Sequence, residues 1–216
     1  MSKANPDTAQ PSKSAGRPKA SEVEARTREL IDAAGCLFLK HGYTGVSLDA
    51  IAREARVAVR TIYVKFGGKA GLLKAVLAAR RERFFPLGKM DVDQRPLREV
   101  IDEFARYFYD MLCEPDAMAL QRVVIAEAGS SPELAEAFYE AGPRATREML
   151  ERYFARPDVR AQLRADVPVA LLPSHLIACI NGDPVMRFLF PDREPPREEA
   201  RNLLAERLEL FYRSIF

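Results

Sequence analysis

Apolar residues recur at helical spacing along most of the chain, and no stretch alternates with period two over a strand's length. The pattern predicts an all-α protein. A first helix runs from about Ser21 or Val23 to His41, with Leu30, Ala34, Leu37 and Phe38 inside, and Gly42 ends it. Two short helices follow, Leu48 to Ala55 and Val59 to Lys65, joined by the turn Arg56-Val57-Ala58. A fourth opens near Lys69 and runs to about Phe85 with Leu72, Leu73, Val76 and Leu77 inside, before Pro86 and Gly88. Beyond it the pattern predicts Pro96 to Cys113, Ala117 to Ala128, and a helix from Ser131-Pro132 to about Ala155 broken near Gly142-Pro143. Val167 to Phe190 reads as one helix or a pair kinked at Pro184, and Pro195 to Ile215 as the last helix.

The stretch Ser47 to Phe66, SLDAIAREARVAVRTIYVKF, carries the most chemistry. The Ser47 hydroxyl can accept a free backbone N–H at the start of its helix. Leu48, Ile51 and Ala52 share one apolar face, and the small Ala52 and Ala55 allow a second helix to cross closely. Val57 and Ile62 fill the angle between the two. Val59, Arg60, Thr61, Tyr63 and Lys65 are left for the outer face. A short helix bearing a cation, a hydroxyl, a phenol and a lysine suits the major groove of duplex DNA.

Charge sharpens this reading. Net charge over the 216 residues is +2, but residues 1–70 hold 12 Lys+Arg against 7 Asp+Glu and the remainder 21 against 24. A basic front points to a polyanionic partner there. Residues 1–20 lack an apolar pattern and are expected to be a disordered basic arm. Within it, Gly16-Arg17-Pro18-Lys19 has the composition of a minor-groove arm, with Arg17 and Lys19 as the contacts.

Other chemistry is thin. Cys36, Cys113 and Cys179 are far apart, and no metal spacing, cofactor motif or nucleophile elbow is present. His41 reads as a helix C-terminal residue. No catalytic residue, cofactor or metal is expected, and the chain is not expected to be an enzyme. The polar N-terminus predicts no signal peptide. Pro173, His175, Asn181, Asp183 and Pro184 exclude a membrane span from the most apolar stretch, so a cytoplasmic location is expected. A helical nucleic-acid-binding adaptor without a ligand is the alternative to a ligand-responsive regulator, with an enzyme as a further one.

The pieces DAA-x-x-LF (Asp32 to Phe38), HGY (His41 to Tyr43), S-x-x-x-IA (Ser47 to Ala52), V-x-x-x-T-I-Y-x-x-F (Val57 to Phe66) and K-x-x-L-L (Lys69 to Leu73) stand at fixed spacing. The span Arg26 to Leu77 resembles the DNA-binding domain of TetR/AcrR transcriptional regulators. Arg122 to Pro143 resembles the C-terminal domain of the AefR-like subgroup. Two departures stand out. Arg56 occupies a turn position where the family usually has Gly, and a left-handed conformation there costs a non-glycine residue roughly 1 kcal/mol. Ala58 stands where the family often has a capping, phosphate-touching Ser or Thr, which loses about 1 kcal/mol.

The resemblance implies an N-terminal three-helix helix-turn-helix domain (residues 21–67) and a larger helical ligand-binding and dimerisation domain (residues 68–216). It implies a homodimer on a palindromic operator, with two recognition helices about 34 Å apart. Arg60 is the expected base reader, with Val59 and Thr61 beside it. Thr27, Ser47, Ala58, Tyr63, Lys65 and Lys69 match phosphate-side positions. The last two helices are expected to pair with their copies through Leu176, Ile180, Leu204, Leu208 and Phe211. A small, largely apolar effector is expected against Phe104, Phe108, Met111, Arg122, Tyr139, His175 and Asn181, where bulky apolar residues stand beside isolated polar ones.

Overall fold

Helix α1 (Ala20–His41) buries Leu30, Ala34, Gly35 and Phe38, and Leu37, expected with them, is half-buried. The computed structural model describes residues 20–84, 90, 92–190, 193 and 195–216. The arm with Arg17 and Lys19, and the punctuation at Pro86 and Gly88, lie outside the described residues. Helices α2 (Leu48–Glu54) and α3 (Val59–Phe66) cross through Ile51, Ala52 and Ile62, and α4 (Lys69–Phe84) closes the group with Leu72, Leu73 and Val76. Among the described residues there is no strand.

The turn between α2 and α3 carries the expected strain. Arg56 has φ of 53°, the one non-glycine residue at positive φ among those described. Ala58 opens α3 with no side-chain hydrogen bond to the free amides. Both departures therefore act as costs in the folded chain.

The second half comprises α5 (Leu97–Leu112), α6 (Pro115–Glu127), α7 (Pro132–Tyr139), α8 (Ala145–Ala155), the single turn α9 (Pro157–Arg160), α10 (Leu172–Asn181), α11 (Pro184–Leu189) and α12 (Arg197–Ile215). Pro115, Pro132 and Pro184 each sit in the first turn of their helix, where the missing N–H is not needed. Gly142-Pro143 does not break the chain. It lies in a π-helical turn, Glu140–Arg144, that leads from α7 into α8. Val167 to Phe190 is neither one helix nor a kinked pair. A 3-10 turn (Val169–Leu171) leads into α10, which ends at Gly182, and Asp183 caps the separate α11 through Met186 N at 3.0 Å.

Two apolar cores result. One joins Leu30, Phe38, Ile51, Ile62, Leu72 and Leu73 of the first four helices to Leu120, Val124, Leu134 and Ala137 of α6 and α7. The other is built from α5, α8, α10 and α12. This second core corrects the expected dimer face. Leu176, Ile180 and Phe211 are fully buried, and Leu204 and Leu208 nearly so, inside the chain's own α10–α12–α5 packing. The stripe read as an outer seam is the inward one. The apolar residues that α12 and the lead-in to α10 turn outward are Leu203, Leu210 (65% exposed) and Leu171 (60%).

Candidate nucleic-acid interface

Ser47 opens α2 as its pattern requires, with its Oγ accepting from Ala50 N at 3.1 Å. Burial of Ile62 then fixes which side of α3 faces out. Arg60, Tyr63 and Lys65 are exposed, Thr61 is half-buried, and Val59 packs against the core at the helix's first position. One exposed apolar residue on this face was not expected there. Val64, 75% exposed, stands one turn after Arg60. Its signal was its place at i+4 from an outward cation, and an apolar residue there suits a thymine methyl.

Thr27 and Lys65 come together. The Lys65 ammonium donates to Thr27 Oγ1, which in turn donates to the Val23 carbonyl at 2.7 Å. The pair ties the start of α1 to the end of α3, so two expected phosphate-side groups share one edge.

Lys69 sits differently. Its ammonium lies 4.4 Å from the centroid of the Tyr43 ring. Burial lowers its pKa, and Glu133 and Glu127 act against that. It belongs to a junction between the two halves of the chain. There Glu127, at the end of α6, accepts from the backbone N–H of Tyr43 at 3.2 Å and of Thr44 at 2.8 Å. Tyr43 donates its hydroxyl to Glu133 at 3.0 Å, and burial followed by that carboxylate raises the phenol well above its usual range. Gly42 makes the approach possible. Its φ is 75°, and a Cβ there would lie 2.3 Å from Glu127 Oε1.

Further along, α4 is held to the second half by Lys74 with Glu140 and by Arg81, which donates to the Ala141 carbonyl at 2.9 Å. Both acceptors lie in the π-helical turn. These contacts tie α6 and that turn to the loop after α1 and to α4.

The residues expected to line an effector site do not converge. Phe104 is buried in the second core and stacks on Phe108 at 5.4 Å, while Met111 is half-buried on the same helix. Arg122 on α6 and Tyr139 on α7 are exposed. His175 is exposed on α10, its ring 5.4 Å from that of Phe211, beside a shallow open groove with Leu171 and Ile215. Asn181 alone lines a different cavity, at the end of α10. Helical spacing placed these residues on amphipathic faces, and the fold distributes them over α5, α6, α7 and α10. Among the described residues no group of His, Cys, Asp and Glu could hold a metal ion, and no helix is long and apolar enough to cross a membrane.

A helix-turn-helix head of α1 to α3 with a cationic, outward α3, joined through α4 to a larger helical body, defines a helix-turn-helix DNA-binding regulator. Residues 30–76 match the family model described as bacterial regulatory proteins, tetR family. Residues 99–214 match the model described as AefR-like transcriptional repressor, C-terminal domain. The chain belongs to the TetR family of transcriptional regulators. It is 42% identical over 65 residues to the HTH-type transcriptional regulator SrpR of Pseudomonas putida, a stretch that is 30% of each chain. Among solved structures it is similar to a chain from Mesorhizobium loti MAFF303099 described as of the TetR family, with a TM-score of 0.71 and 20% identity over 92% of this chain and 99% of that one. It is also similar to the flavonoid-responsive regulator FrrA, with a TM-score of 0.68 and 26% identity over 89% of this chain and 97% of that one.

Proposed function

We propose that this chain is a homodimeric, cytoplasmic repressor that holds a near-palindromic operator and releases it when a small molecule occupies its larger domain. The head, residues 21–67, supplies DNA contact, and residues 68–216 supply dimerisation and effector binding. The observation that carries the reading is α3, whose outward face bears Arg60, Tyr63, Val64 and Lys65. Arg60 reads a guanine edge bidentately, Val64 and Thr61 flank it, and Thr27, Ser47, Tyr63 and Lys65 hold phosphates. Arg17 and Lys19 reach the adjacent minor groove.

Dimerisation uses the outer faces of α10 and α12, where Leu203, Leu210 and Leu171 are exposed, rather than the buried stripe. The printed name of FrrA describes that protein as responsive to a flavonoid, which supports a ligand-controlled release here too. Release is a population shift: a ligand that prefers the form with misplaced α3 helices draws the dimer off DNA by its difference in affinity for the two forms. Genome-wide mapping of bound DNA tests the reading. It should return a short list of sites sharing one inverted repeat. Uniform occupancy with no shared repeat would refute operator recognition and favour a general nucleic-acid adaptor.

A further inference from the structure

Helix α2 closes on a residue that has no reason within the described chain to be an arginine. Val57 N donates to the Ala52 carbonyl at 2.9 Å and Arg56 N to that of Arg53 at 3.2 Å, the paired bonds of a Schellman turn. Arg56 sits at the left-handed position of that turn, with φ of 53°. Glycine reaches this conformation with no Cβ to clash, so an arginine here is strained. Nothing among the described residues offsets the strain. The Arg56 side chain is exposed, and its guanidinium makes no hydrogen bond, ion pair or ring contact with them.

The neighbours show which way this residue is turned. Val57 and Val59 pack against the first core, while Arg56, Ala58 and Arg60 are exposed. The alternation puts Arg56 on the outward side of the lead-in to α3, the side that carries Arg60. Ala58, between them, has no polar side-chain atom and makes no capping bond. The lead-in therefore offers solvent one long cationic fork ahead of Arg60, and a planar fork matches the oxygens of a phosphate.

We propose that Arg56 clamps a backbone phosphate at the edge of the groove that α3 enters, a DNA contact made by the turn rather than by either helix. The inference rests on the DNA-binding reading above and adds a residue to it. The strain at Arg56 is then a cost of the free chain that is offset only on DNA. Such a contact places α3 and carries no base preference, so Arg56 is a positioning residue where Arg60 is a reader.

The test uses the full chain, a labelled duplex that the chain selects in vitro from a randomised pool, and an unselected duplex from the same pool. Anisotropy titrations over a range of sodium chloride give the affinity and the salt slope for each. Arg56→Gln keeps a long side chain and the left-handed backbone but removes the charge. One phosphate contact is worth a slope of about 0.9, so a homodimer should lose about 1.8. At roughly 0.15 M salt that slope corresponds to about a thirtyfold loss of affinity, similar on both duplexes. Arg56→Lys should keep the slope. Arg56→Gly should lose it as Arg56→Gln does while unfolding at higher denaturant, an opposition that loss of fold cannot imitate. Lys40→Gln, which removes an exposed charge in the last turn of α1 near the Glu127 junction, should leave the slope unchanged. An unchanged slope in Arg56→Gln, or an equal fall in Lys40→Gln, overturns the proposal. If Arg60→Ala still loses the selected duplex selectively, the DNA reading survives that result. A wild-type chain that enriches no duplex and binds without salt dependence overturns both.

Discussion

Replacing Gly42 by Ala tests whether the Glu127 carboxylate holds the head to the body. Two independent costs are expected. The first is conformational: φ at Gly42 is 75°, and a left-handed alanine costs about 1–2 kcal/mol. The second is steric: the new Cβ would lie 2.3 Å from Glu127 Oε1, so the carboxylate must shift, which disturbs its bonds to the Tyr43 and Thr44 amides. A hydrogen bond to a charged acceptor contributes about 1.5–3 kcal/mol when buried, and the partial exposure of this pair brings the two together to about 1–2 kcal/mol. Gly42→Ala should therefore cost roughly 2–4 kcal/mol and Glu127→Ala about 1–2 kcal/mol. In the double variant the second cost is counted once, so the cycle should close with a coupling of about 1–2 kcal/mol. Denaturant titration of the four proteins measures it, and amide exchange at Tyr43 and Thr44 should quicken in both single variants. Additive costs, or amides that stay protected in Glu127→Ala, would refute the reasoning.

Arg60→Ala should weaken operator binding by about 1–3 kcal/mol and binding to random duplex far less, read by anisotropy on both; equal losses would make Arg60 a phosphate contact. Arg56→Gly should relieve the left-handed strain of about 1–2 kcal/mol, less the extra unfolded-state entropy of glycine, for a net gain of about 0.5–1 kcal/mol in denaturant titration. A loss of stability there would show that the Arg56 side chain holds the turn. Leu210→Glu should give a folded monomer in sedimentation velocity, whereas Leu204→Glu should unfold the chain by burying a charge. The opposite pattern would restore the buried stripe as the interface.

Local signals were read well from the sequence because they act within a turn or two. The Ser47 cap, the stop at Gly42, the small residues that let α2 meet α3, and the strain at Arg56 all depend on a few adjacent residues. The same holds for Arg60, whose exposure follows once Ile62 is committed to the core. The π-helical turn at Gly142-Pro143 was harder. Proline must forgo a helical hydrogen bond, and the chain absorbs that by widening a turn rather than ending the helix. Glu127 was illegible for another reason. A glutamate at the end of a helix looks like a solvated face, and its two partners lie more than eighty positions earlier in the chain.

The inversion of the α10 and α12 faces shows what periodicity leaves open. A stripe such as Leu204, Leu208, Phe211 and Ile215 demands burial, but its apolar area is the same whether α5 and α10 of one chain or a second chain supplies the cover. Intrachain packing takes the richer stripe, since covering it costs no association entropy. What remains for a partner is the poorer face, where Leu203 and Leu210 stand among Glu206 and Arg213. Such a mixed surface is poorly apolar by sequence, yet it is typical of what a dimer rim can use.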